Sequence, residues 1–164
     1  MSINWNLPEQ HECVLALMEA AMSKIPLLIL SLFLPTLTAA QEATTYSFDG
    51  TFDDATFAVE NAIINKGLVI DYVSHTGEML QRTGADVGSD VTIFEAADVF
   101  LFCSAQLSRE VMEADPMNIA HCPYGIFVAD QAGDVMIGYR NYPTGEMQKV
   151  QAFLDAIAQD AVGG

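Results

Sequence analysis

Basic residues are scarce. Six Lys and Arg stand against 22 Asp and Glu, a formal charge of −16 over 164 residues. A surface so charged repels phosphate backbones and anionic headgroups, which excludes nucleic acid as a partner. It favours solubility and suits cationic partners or a salty milieu; a solvated acidic surface is the plainest account. Cysteine is rare too, with three in the chain, so the sequence is no disulfide-dense scaffold. Gly-x-Ser-x-Gly, Walker, Gly-x-Gly-x-x-Gly, His-Glu-x-x-His, Cys-x-x-Cys and Cys-x-x-Cys-His patterns are all missing. No catalytic residue and no cofactor is identified from motifs. Internal repeats, low-complexity tracts and interdomain linkers are absent as well, and the length suits one domain.

Long apolar runs are limited to one, Ile25 to Leu37. It is shorter than the ~20 residues of a membrane-spanning helix and carries Pro26 and Pro35. Read from Met22, it has the parts of a signal peptide: Lys24, an apolar stretch, and the small residues Thr38-Ala39-Ala40. Residues 22–40 are therefore expected to be removed near Ala40, leaving no stable membrane anchor; an uncleaved anchor is the alternative. Residues 1–21 hold Glu9, Glu12 and Glu19 and no basic residue, unlike a signal's basic start. They read as a non-native upstream extension. Otherwise they form an acidic amphipathic lead with Cys13, Val14, Leu17 and Met18 on one face, which would argue for a cytosolic protein. The expected mature chain is 41–164, periplasmic or secreted. With Glu9, Glu12, Glu19 and Lys24 gone, 19 acidic and 5 basic residues remain, a charge of −14, and the cysteines left are Cys103 and Cys122.

Periodicity in 41–164 predicts a single α+β domain, a small mixed or antiparallel sheet covered by helices. Gln41 to Thr45 reads as a tail and Tyr46 to Phe48 as the first strand. Asp53 and Asp54 suit a helix start. Ala55, Val59, Ala62 and Ile63 give that helix an apolar face, and Lys66-Gly67 ends it. Leu68 to Val73 is a strand and Gly77 to Thr83 a short helix. Asp98 to Cys103, nearly all apolar, predicts a central strand buried on both faces. Ser108 caps a helix to Ala114, which Asp115-Pro116 breaks. Gly125 to Ala129 and Val135 to Tyr139 flank a five-residue connection and read as a hairpin. Val150, Phe153, Leu154, Ile157, Ala158 and Ala161 form the clearest helical stripe.

Three groupings are left as carriers of chemistry. Cys103 and Cys122 are an even pair that an oxidising compartment can join. The bond would close a loop of about 20 residues and stabilise by on the order of 3 kcal/mol in the chain-entropy view. Two buried thiols are the other structural reading, and redox work would need an exposed thiolate of lowered pKa. Met112, Met117, His121 and Cys122, with His75 and Met79, offer the thioether, imidazole and thiolate donors that suit a soft metal such as Cu(I). Methionines more often fill cores. His75, Glu78, Arg82 and Asp86 surround the second helix, Glu78 and Arg82 at ordinary ion-pair spacing.

The run Cys103-Ser-Ala-Gln-Leu-Ser-Arg-Glu-Val-Met-Glu-Ala-Asp115-Pro116, continuing through Ala120 and Pro123 to Ile126-Phe-Val128, resembles the bacterial family called Domain of Unknown Function 302. So does the order of elements before it, over residues 53–140. The match departs at Cys103-Ser104-Ala105, where many members have Cys-Asn-Pro, and at Tyr124, where some have cysteine. The resemblance implies a small α+β fold, often a homodimer, with no established activity. Two functional expectations follow. The first is a non-enzymatic binding or accessory domain, for a small ligand or partner protein that the sequence does not identify, using the surface from Cys103 to Tyr124. The second is a thiol-redox or soft-metal protein using Cys103, Cys122, His121 and Met117. A hydrolase on His75 or His121 ranks last.

Overall fold

Five short strand segments pair into one sheet. The computed structural model describes residues 42–164, so the expectations for 1–21 and 22–40, Cys13 included, lie outside the described residues. The strands are β1 (Ala43–Ser47), β2 (Ile70–Ser74), β3 (Ala96–Phe102), β4 (Tyr124–Gln131) and β5 (Asp134–Arg140). Their spatial order is β1-β5-β4-β3-β2, and every neighbouring pair is antiparallel. The helices are α1 (Phe52–Asn65), α2 (Thr76–Thr83), α3 (Ala105–Ala114) and α4 (Met147–Gly163), with single 3₁₀ segments at Ala85–Val87 and Pro116–His121.

The expected α+β class is the fold observed. Ala55, Val59, Ala62 and Ile63 of α1 are buried, as are Val150, Leu154, Ile157, Ala158 and Ala161 of α4. They share one core with Phe100, Phe102, Tyr124, Ile126, Val128, Ile137 and Tyr139 from the sheet. Each fully buried large aliphatic or aromatic side chain stabilises by about 1.5–3 kcal/mol, so this single layer supplies most of the driving force. On β3, Val99 and Leu101 are only half-buried. The expectation of a strand buried on both faces is thus corrected. Its second set of apolar side chains belongs to an open face, where alternation sends them away from α1 and α4.

Boundaries differ where local capping decides them. The first strand begins at Ala43, within the expected tail, because Ala43 to Ser47 pair with Arg140 to Met136. Helix α1 is capped by Thr51 instead of an aspartate. Thr51 Oγ1 accepts from the Asp54 amide at 3.2 Å, and the Thr51 amide donates to Asp54 Oδ2 at 3.1 Å, a reciprocal box. Helix α3 is capped by Ser104, whose Oγ accepts from the Leu107 amide. Ser108 lies one turn inside that helix and serves a different purpose. The hairpin connection shrinks from five residues to the two in the Ala132-Gly133 turn. Both have positive φ, 57° and 93°, the twist that a two-residue hairpin needs.

Candidate functional site

Helix α3 and the 3₁₀ segment are an excursion between two strands that are hydrogen-bonded neighbours. Phe102 at the end of β3 is the register partner of Tyr124 at the start of β4. The chain therefore leaves the sheet at Cys103 and returns through Cys122 on adjacent strands, and the two sulfurs sit 2.8 Å apart. Asp115 caps the 3₁₀ segment of the return: its carboxylate accepts from the Met117 amide at 2.9 Å across Pro116.

An aromatic and hydroxyl shell surrounds the thiols. Tyr124 is fully buried and its hydroxyl accepts from Ser108 Oγ at 3.1 Å. Tyr142 meets Tyr124 edge to face at 6.4 Å between ring centroids, and His121 meets Tyr142 the same way at 5.5 Å. Burial, then the neighbouring Cys122, pushes the Cys103 thiol up to about 11. Burial likewise pushes the Tyr142 phenol up to about 12. Cys103 is thus a neutral thiol at ordinary pH, slow as a nucleophile, and it faces the Cys122 sulfur at bonding approach.

Only part of the soft-donor set comes together here. Met112 is half-buried against the core, and Met117 is 70% exposed at the surface. His75 belongs to the opposite end of β3. Its Nδ1 is 2.9 Å from Asp98 Oδ1, and Asp98 lies five residues, roughly 16 Å, along β3 from Cys103. Among the described residues no three His, Cys, Asp or Glu side chains are grouped as a metal site. The Glu78–Arg82 ion pair does not form among the described residues either. Sequence reading missed Asp98 as the partner of His75, because residues 23 apart on different elements leave no local signal.

A second feature had no sequence signature. On the open sheet face, Val99 and Leu101 of β3, Phe127 of β4 and Met136 of β5 line a trough of about 590 Å³, with Phe94 and Tyr142 at its margins. Two glycines shape it. Gly138 lies under the Phe127 ring, where a Cβ would meet the ring carbons, and Gly125 receives the Leu101 and Val99 methyl groups. Arg140 also lines the trough, and among the described residues it has no ion-pair partner. Leu101 and Pro123 line this trough and lie two residues before Cys103 and next to Cys122 in the chain.

The family model described as domain of unknown function DUF302 matches residues 43–162. A crystal structure titled as an uncharacterized conserved DUF302 protein from Bacillus stearothermophilus is similar, with a TM-score of 0.54 at 18% identity. The match covers 76% of this chain and 92% of that one. Such a likeness speaks for the fold. No curated protein matches the chain.

Proposed function

Since the chain belongs to the DUF302 family, we propose that it is an exported, non-enzymatic binding domain whose recognition surface is the trough on the open sheet face. One observation carries this reading: a contiguous apolar hollow, shaped by Gly125 and Gly138, with Arg140 on its wall, which has no ion-pair partner among the described residues. Pockets that take small molecules are mostly apolar with a few oriented polar groups. Arg140 favours an acidic group, so the ligand class is a small amphipathic anion with a flat apolar body. Export rests on the signal-like segment 22–40, and a homodimer rests on the family resemblance.

Titration with 8-anilinonaphthalene-1-sulfonate, an apolar ring system carrying one anion, tests the reading. The natively folded chain is expected to raise its emission saturably, one probe per chain. Leu101→Asp is expected to abolish the rise and Arg140→Gln to weaken it several-fold, with cooperative unfolding kept. A native chain that leaves the probe dark, or a rise indifferent to Leu101→Asp, would overturn it. Light scattering on the same sample reads the subunit number.

The second reading, thiol-redox or soft-metal work by Cys103, Cys122, His121 and Met117, draws support from the 2.8 Å approach of the thiols. The exposure of Met117 and the packing of His121 on Tyr142 favour a role for the cysteines alone.

A further inference from the structure

We propose that Cys103 and Cys122 are an oxidative modification site, closed as an intramolecular disulfide by exchange with a small-molecule or protein disulfide, which clasps the α3 excursion to the sheet. This stands apart from the trough and its ligand.

The argument begins with topology. Phe102 and Tyr124 are register partners on adjacent antiparallel strands, so Cys103 and Cys122 follow and precede a fixed pair of backbone positions. Two cysteines so placed stay close in every conformation that keeps β3 and β4 paired. The sulfurs already face each other at 2.8 Å, so oxidation asks for little backbone movement. Between them lie 18 residues, 104–121, that form α3 and the 3₁₀ segment. These hold Val111 in the core and Ser108 on the Tyr124 hydroxyl. A bond across the base of this excursion ties both ends at once.

The chemistry balances through exchange. One protein thiol loses its proton and attacks a sulfur of the external disulfide, releasing one thiolate and leaving a mixed disulfide on the protein. The second protein thiol, also deprotonated, attacks the protein sulfur of that bond and expels the second thiolate. Two protein thiols are oxidised, one external disulfide is reduced, and the two protons end in solvent or on the leaving thiolates. Cys103, half-buried and with its thiol pushed up, is slow to start the exchange itself. The second step follows at once, since the partner sulfur is already adjacent.

The full chain, reduced and then equilibrated with oxidised glutathione, is the sample to use. Differential alkylation with peptide mapping is expected to show Cys103 and Cys122 blocked together and linked to each other, with no accumulating glutathione adduct. The oxidised chain should unfold at a higher urea midpoint than the reduced one. Cys103→Ser should remove that difference while keeping the native circular dichroism spectrum. It should also trap glutathione on Cys122. Both thiols staying alkylatable in the folded chain, a stable adduct on either in the unmutated protein, or a bridge to Cys13 instead would each overturn the proposal. If Cys103→Ser does not fold, the mapping of the unmutated chain decides alone.

Discussion

Tyr139 on β5 donates a 2.5 Å hydrogen bond to Asp155 on α4, and Tyr46 on β1 donates a second to the same carboxylate oxygen. One acidic side chain thereby joins the last helix to two paired strands. The bond from Tyr139, then that from Tyr46, holds the Asp155 carboxyl below its usual range. A depressed folded-state pKa adds stability that is present above the unfolded value of about 3.9. It is lost as pH falls through the folded value. Urea midpoints measured from pH 7 downward should show this loss, and Asp155→Asn should flatten that limb. At pH 7 the same change should cost about 1–3 kcal/mol, as for a hydrogen bond to a charged group.

Histidine 75 titrates in the opposite sense. Its hydrogen bond to Asp98, reinforced by that carboxylate's charge, raises the imidazole above its ordinary value. The associated stability is complete below the unfolded pKa of about 6.5 and disappears as pH rises through the folded one. Proton NMR of the imidazole is expected to give a pKa above 6.5. Asp98→Asn is expected to return it toward that value; an unchanged titration in this variant would refute the pairing.

Replacing Ser108 with alanine should destabilise the domain by about 1–3 kcal/mol, because the hydroxyl of fully buried Tyr124 loses its partner. Helix content should stay as it is, since Ser104 provides the cap. The double variant Ser108→Ala with Tyr124→Phe should recover much of the loss in a double-mutant cycle read by urea unfolding.

Alanine at Gly77 or Gly138 should cost on the order of 1–3 kcal/mol for steric reasons alone. At Gly77 the added carbon would sit 2.5 Å from the Ala97 amide nitrogen, backbone that cannot swing aside. At Gly138 it would press on the Phe127 ring and stand 2.7 Å from the Thr44 carbonyl oxygen. Gly67→Ala makes a control of another kind: open space surrounds it, and its φ of +75° alone sets the penalty. Thermal midpoints should separate the first two, which disturb packing, from the third.

Much of the fold was legible because periodicity reports which side chains face a core. The α4 stripe from Val150 to Ala161 and the α1 face from Ala55 to Ile63 are buried where their spacing puts them. β3 shows where that signal fails. A strand with apolar side chains on both faces reads the same whether its second face is covered or open, so Val99 and Leu101 gave no warning of a trough. Caps were misplaced for a related reason: Thr51, Asp53, Ser104 and Ser108 are all competent, and only the three-dimensional hydrogen bonds choose among them. The approach of Cys103 to Cys122 depends on β3 pairing with β4, information held by the whole sheet. Met117 and His75 were candidates by chemistry, and the topology placed them at the surface and at the far end of β3.

The sheet's strand order carries a consequence for how the chain becomes folded. β1 is the first described strand, and its partner β5 is the last, with some 90 residues between them. The β4–β5 hairpin closes through a two-residue turn and loses little entropy in doing so, whereas β1 must wait for a distant segment. During synthesis, the leading strand is thus unpaired until nearly the whole domain has emerged. The hydrogen bonds from Tyr46 and Tyr139 to Asp155 come later still, because they need α4 as well. Completion of this sheet accordingly comes late in the domain, and a chain stopped before residue 134 leaves β1 without its partner β5.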